Sequence, residues 1–218
     1  MKRYDTVIFD LDGTLLNTLD DLASAINHAL DVTGFPVRTI DEVRRFVGDG
    51  AKMLARRAVP EGSSEEAVEQ VLAHFREYYS THSTVLTAPY PGIFDMMDRL
   101  KAAGVQQAVV SNKPNAQVKS LCALYFGQYV TLAAGDREGV KRKPEPDAVW
   151  MAMKEMGAEG SRTLYVGDSD VDVITARNAG VDCAAVTWGF RSEAELRQAG
   201  AVHLFDTAEA LTDWILNG

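Results

Sequence analysis

Residues Val7-Ile8-Phe9 form an unbroken apolar run of β-branched and aromatic side chains, and the run ends abruptly in Asp10-Leu11-Asp12-Gly13-Thr14. A run of that kind suits a strand buried on both faces, which belongs in a parallel sheet covered by helices on either side. In open α/β sheets the reactive crevice lies outside the carboxyl ends of the strands, near a switch in strand order. Two carboxylates delivered to that edge are placed for chemistry. The same Asp-x-Asp-Gly taken alone also fits a solvated turn, so the rest of the chain has to decide.

From Asp20 to Gly34 the apolar residues Leu22, Ala25, Ile26, Ala29 and Leu30 recur at helical spacing, with Gly34 as a stop. Thr39-Ile40-Asp41-Glu42 has the capping-box pattern and opens a second helix through Phe46; Asp49 or Gly50 starts a third with Met53, Leu54 and Ala58. Ser63-Ser64-Glu65-Glu66 opens a fourth, in which Val68, Val71, Leu72, Phe75 and Tyr79 make one stripe. Residues of roughly 16 to 85 are thus expected to be all-helical, with no strand.

Pro89-Tyr90-Pro91-Gly92 punctuates the end of that block, and strands and helices then alternate. Strands are expected at Gln106 to Val110, Val130 to Ala134, Leu164 to Val166 and Cys183 to Val186, with Val202 to Phe205 as a short edge. Helices are expected near Ile93 to Ala103, around Val118 to Cys122, and at Pro146 to Met156, Val171 to Ala179, Ser192 to Ala199 and Ala208 to Leu216. Such alternation implies an α/β fold, a Rossmann-like open parallel sheet with helices on both faces and right-handed crossovers. The helical block is then an insertion into that sheet. The expected division is a core of residues 1–15 and 88–218 and a helical cap of residues 16–87, which would hang over the crevice as a lid.

Each strand end can be inspected for chemistry. Ser111-Asn112-Lys113-Pro114 follows Val109-Val110 and offers a hydroxyl beside a helix start, a combination suited to phosphate, though Ser111 taken alone reads first as a plain helix cap. Gly167-Asp168-Ser169-Asp170-Val171-Asp172 follows Leu164-Tyr165-Val166, and three acids in five residues exceed what a cap needs. Two acidic loops at neighbouring strand ends repel each other unless a cation lies between them. Hard oxygen donors without histidine or thiolate favour Mg²⁺. A positive group is supplied by Lys141-Arg142-Lys143-Pro144-Glu145-Pro146, where the prolines fix the backbone around Lys143 and aim it inward.

Composition narrows the partners. The chain of 218 residues carries 22 basic and 31 acidic residues, a net charge of −9, which argues against nucleic acid or an anionic membrane as a general partner. Cys122 and Cys183 alone make neither a disulfide framework nor a zinc site, and a reducing cytoplasm is the expected home. The amino terminus passes directly into the first strand without the apolar region of a signal peptide, and no apolar run approaches a membrane span.

Asp10-x-Asp12-Gly13-Thr14, Ser111, Lys143-Pro144 and Gly167-Asp168-Ser169-x-x-Asp172 resemble, in order and in structural context, the four motifs of the haloacid dehalogenase superfamily. Val47-Gly48-Asp49-Gly50-Ala51 and Val186-Thr187-Trp188-Gly189-Phe190 look most like its phosphoglycolate phosphatase branch. The resemblance implies that Asp10 attacks phosphorus and forms an aspartyl-phosphate while Asp12 carries the proton. It implies Mg²⁺ held by Asp10, by the Asp12 backbone carbonyl and by Asp168, with Ser111, the Asn112 backbone and Lys143 on the phosphate. Thr14, Ser169 and Asp172 are expected to stand behind these groups and orient them. Gly48, Lys52 and Arg57 in the cap are expected to meet the substrate, with Arg57 on a carboxylate.

The expected activity is Mg²⁺-dependent hydrolysis of a small phosphorylated metabolite, 2-phosphoglycolate in particular, by a monomer or homodimer. A phosphosugar mutase or an inorganic pyrophosphatase would use the same motifs. A non-catalytic phospho-receiver domain also groups acids, a hydroxyl and a lysine at sheet ends, but it needs neither Asp12 nor a lid. An EF-hand-like calcium loop would need ligands that follow neither Asp12 nor Gly13.

Overall fold

The computed structural model describes residues 2–217. In chain order, β1 (Thr6–Phe9) leads to a two-residue strand β2 (Leu16–Asn17), then to α1 (Leu19–Val32), α2 (Ile40–Phe46), α3 (Ala51–Ala58), α4 (Glu65–His82) and a second two-residue strand β3 (Ala88–Pro89). The remainder alternates: α5 (Ile93–Ala102), β4 (Gln106–Pro114), α6 (Asn115–Phe126), β5 (Val130–Asp136), α7 (Asp147–Met156), β6 (Thr163–Gly167), α8 (Asp170–Ala179), β7 (Asp182–Val186), α9 (Glu193–Ala199), β8 (His203–Phe205) and α10 (Ala208–Leu216). The chain forms two compact units, one from residues up to Leu15 together with those from Pro89 onward, the other from Leu16–Ala88.

The first unit is built on a parallel sheet of six strands in the order β5-β4-β1-β6-β7-β8. All four residues of β1 are buried, as the continuous apolar run requires. β1 is the switch point, since the chain builds outward through β4 and β5 on one side and then returns to β6 on the other. Phe9 is level with Val109 on β4 and with Val166 on β6. That register brings Asp10, Ser111 and Asp168 off three adjacent strands within one residue of the same level. One face of the sheet is closed by α7 and α8, whose Val149, Ala152 and Ala176 pack against Ile8, Ala108, Val110 and Tyr165. Removing such side chains from water stabilises the unit by about 1.5–3 kcal/mol for each large one.

The Leu16–Ala88 unit is held by α1 on α4, with α2 and α3 completing it. The α4 stripe Val68, Val71, Leu72, Phe75 and Tyr79 is buried, as are Leu22, Ala25, Ile26, Ala29 and Leu30 of α1. Thr39 and Glu42 complete the capping box at α2. Buried Asp21 ties down the returning segment by accepting from the backbone N–H groups of Leu86 at 3.0 Å and Thr87 at 2.9 Å, and from the Thr87 hydroxyl at 2.8 Å.

Two expectations are corrected. Leu16–Asn17 is a strand, where an all-helical block was expected; two residues are too few to show a period. The second sheet strand does not end at Val110 but continues through Ser111, Asn112 and Lys113 to Pro114, which pairs with Asp136. Turn-forming residue types are held extended there by the neighbouring strand, and α6 begins only at Asn115. Ser111 is therefore not a helix cap; its Oγ accepts from the Lys113 backbone N–H at 3.3 Å.

Candidate active site

The carboxyl edge of β1, β4 and β6 gathers a buried charge cluster. Asp10 is 8% exposed and Lys143 5%, while Asp168 and Asp172 are sealed from solvent. Lys143 Nζ lies 2.9 Å from Asp10 Oδ1, 2.7 Å from Asp172 Oδ1 and 3.0 Å from the Tyr165 hydroxyl. Burial alone would lower the lysine's proton affinity, but the two carboxylates more than reverse this and hold it well above its usual range. The loop that carries Lys143 is pinned to β4 by the Asn112 side chain, which donates to Lys143 O at 3.0 Å and accepts from Lys143 N at 2.9 Å. The Lys143–Pro144 peptide is cis.

Asp172 is fixed from all sides. Its Oδ1 accepts from Lys143 and from the Tyr165 hydroxyl at 3.2 Å, and its Oδ2 from the Ser169 hydroxyl at 2.6 Å and the Ser169 N–H at 3.1 Å. Ser169 and Asp172 thereby form the capping box of α8, so one acid serves both the helix start and the lysine. Asp168 accepts from the Thr14 hydroxyl at 2.8 Å and from the Phe190 N–H at 2.8 Å. The Trp188 indole N–H donates to Thr14 O at 3.0 Å, which anchors the loop after β7 to the loop after β1. Two glycines wall Asp168 closely. A Cβ on Gly13, whose φ is 88°, would stand 2.3 Å from Asp168 Oδ2, and one on Gly189 2.3 Å from Asp168 Cβ.

Asp12 faces another way. Its Oδ1 and Oδ2 accept from Lys113 Nζ at 2.9 and 3.2 Å, and the lysine side chain is only 4% exposed against 19% for the aspartate. The three acids whose oxygens lie within 4.8 Å of one another are Asp10, Asp168 and Asp172, so the Asp12 side chain is outside the cluster that could hold a cation.

These residues fit a divalent cation. Asp10 Oδ1 is buried and receives no aligned hydrogen bond, although Lys143 lies beside it. Asp172 is committed to Lys143 and Ser169, whereas Asp10 and Asp168 retain lone pairs, and an oxygen of each lies within 4.8 Å of the other. Burial pushes the Asp10 carboxyl up to about 6 and the Asp168 carboxyl up to about 8, the negative charges of neighbouring acids adding to the effect. A divalent cation would keep both ionised, and an all-oxygen donor set suits a hard ion.

A pH dependence follows. Both acids hold their proton more tightly in the folded chain than in the unfolded one, whose carboxyl value is 3.8. Cation-free protein is therefore expected to be most stable near pH 4 on account of these two groups and to lose that contribution as pH rises through about 6 and about 8. Thermal unfolding in chelator across this range checks it, with Asp168→Asn expected to flatten the slope. An added divalent cation should raise the melting temperature more at pH 8 than at pH 5, because at pH 5 it must displace protons. A wild-type slope identical to that of Asp168→Asn would contradict the assignment.

The structure brings Asp10, Ser111, Asn112, Lys143, Asp168, Thr14, Ser169 and Asp172 to one edge of the sheet. In the helical unit, Lys52 pairs with Glu65 at 2.8 Å and Glu69 at 2.6 Å; Arg57 donates to Phe46 O at 2.8 Å and to Asp49 at 2.5 Å. Gly48 is exposed in the loop between α2 and α3 with φ 121°. Sequence reasoning assigned no role to Lys113, Tyr165, Trp188 or Gly189. For Tyr165 a hydroxyl inside an otherwise apolar strand was the available signal, since a buried O–H needs a partner. For Lys113 there was none, because its partner lies 101 positions away.

The chain matches the haloacid dehalogenase-like hydrolase family over residues 7–186 and belongs to that family. It is 40% identical over 190 residues to phosphoglycolate phosphatase 1 of Pseudomonas aeruginosa, covering 84% of this chain and 70% of that protein. To a phosphoglycolate phosphatase of Pseudomonas syringae pv. syringae it is 33% identical over 217 residues, covering 96% and 79%. Among solved structures, a protein of Lactobacillus delbrueckii subsp. bulgaricus assigned as a phosphoglycolate phosphatase superposes with a TM-score of 0.95 at 38% identity, with both chains covered completely. No helix among the described residues is long and apolar enough to cross a membrane.

Proposed function

We propose that this hydrolase is a Mg²⁺-dependent phosphatase that cleaves small phosphate monoesters through an aspartyl-phosphate on Asp10, with 2-phosphoglycolate as its best substrate. The observation that carries the reading is the buried array in which Lys143 joins Asp10 to Asp172 beside the Asp10–Asp168 pair. It fixes one carboxylate, at the end of a rigid strand, where an anionic phosphate can be met by positive charge. The relatives named phosphoglycolate phosphatase support the substrate.

In the first displacement an Asp10 oxygen attacks phosphorus and the ester O–P bond breaks. Asp12 gives its proton to the departing alkoxide. In the second, Asp12 takes a proton from water as that water attacks the aspartyl-phosphate, and Asp10 and inorganic phosphate are released. Asp12 is equipped for this because its side chain is held by Lys113 outside the Asp10–Lys143 array and retains some exposure. The Ser111 hydroxyl, the Asn112 N–H and the Lys143 ammonium bind the non-bridging oxygens. In a loose phosphoryl-transfer transition state, such fixed charge is the main source of acceleration. Asp10 and Asp168, with the Asp12 carbonyl, would hold Mg²⁺, which supplies Lewis-acid neutralisation of phosphate charge. Asp172, Ser169, Tyr165 and Thr14 position the charged groups.

A panel of 2-phosphoglycolate, pyrophosphate and hexose phosphates compared by kcat/KM tests the assignment. The expected profile peaks on 2-phosphoglycolate by at least tenfold. A flat profile would replace it with a generalist phosphatase, and isomerisation of a hexose phosphate without phosphate release would replace it with a mutase.

A further inference from the structure

We infer that Lys113 is a specificity-determining residue that selects monoesters whose leaving group carries an anion, a carboxylate foremost, on the carbon that bears the ester oxygen. The inference rests on the phosphatase reading above and adds the group that reads charge on the leaving-group side. Two buried ammoniums serve this edge of the sheet, and they are divided between two aspartates. Lys143 lies 2.9 Å from Asp10, the proposed nucleophile, which meets phosphorus. Lys113 lies 2.9 and 3.2 Å from the two oxygens of Asp12, the proposed proton carrier, which meets the leaving oxygen.

A proton donor has to come within about 2.6–3.2 Å of the atom it serves. Lys113 Nζ touches both oxygens of that donor, so a substituent next to the ester oxygen arrives beside the ammonium. A carboxylate on the leaving group would add a direct attraction to that buried ammonium; a neutral hydroxyl would not. Lys113 stands on β4, whose extension to Pro114 makes it part of the sheet rather than of a mobile turn.

The experiment compares 2-phosphoglycolate with 2-hydroxyethyl phosphate, an analogue of similar size whose leaving group is uncharged, on the wild type, Lys113→Met and Lys113→Arg. Hydrogen bonds to charged groups set the expected scale: the wild-type preference in kcat/KM for the carboxylate ester falls by roughly 10- to 100-fold in Lys113→Met and is largely kept in Lys113→Arg. If Lys113 only holds Asp12 in place, both substrates lose the same factor and the ratio stands, which would overturn the inference. If the wild type cleaves neither ester, the phosphatase reading itself fails. A binding arm is independent of turnover. Glycolate should raise the melting temperature of wild type and Lys113→Arg more than ethylene glycol at equal concentration, and should lose that advantage in Lys113→Met. If Lys113→Met does not fold, equal effects of glycolate and ethylene glycol on the wild type would overturn the inference.

Discussion

Asp10→Asn is expected to lower kcat/KM for 2-phosphoglycolate by at least about 10⁴-fold, the scale reached when an attacking group is removed from a preorganised site. The amide is nearly isosteric with the carboxylate but is a poor nucleophile for phosphorus, and it removes one of the two acids best placed for the cation. The fold should survive, because Lys143 keeps Asp172 at 2.7 Å and Tyr165 at 3.0 Å. Asp12→Ala is expected to cost less, about 10²- to 10⁴-fold, as loss of a proton carrier does. The two variants should also differ in kind. Rapid-quench mass spectrometry with an ester of a good leaving group, which needs no acid in the first step, should show a phosphorylated chain in Asp12→Ala and none in Asp10→Asn. Undiminished turnover by Asp10→Asn would sink the covalent mechanism.

Lys143→Met is expected to be the most destabilising single change at this edge, by about 3–5 kcal/mol, because it leaves buried Asp10 and Asp172 without their counter-charge. For a chain of this size that corresponds to a fall in melting temperature of roughly 10 °C in cation-free buffer. Activity should be lost as well. Adding Asp172→Asn to Lys143→Met should recover part of the stability, since it removes one of the stranded charges, while activity stays low. Chemical unfolding of the four proteins of this cycle is the measurement. Equal stability of wild type and Lys143→Met would show that the ammonium contributes nothing to holding the two acids.

How much of this could be read without a structure depended on the range over which each residue acts. The end of β1 was legible because the apolar run and the acids that stop it are contiguous, and both follow from local burial. Asp168 was legible for the same reason at β6, and Lys143 because flanking prolines constrain its backbone. The stretch Ser111–Lys113 was read as the approach to a helix after a strand ending at Val110; instead β4 runs extended through it to Pro114, which pairs with Asp136 on β5. Asp172 was expected to orient Asp168 or Lys143; the structure makes it the acceptor for Lys143 and also the cap partner of Ser169, which the acid count alone did not show.

What the amino-acid sequence determined alone is the set of strand ends and the kind of group each carries, because side-chain period and turn chemistry act over a few residues. Which groups face one another was decided by the tertiary structure. Lys113 meets Asp12 across 101 positions, Thr14 meets Asp168 across 154, and Gly189 leaves room for Asp168 that no local pattern shows. Those pairings come from the order and register of β4, β1 and β6, which are set by the burial of whole strands rather than by any residue in the site.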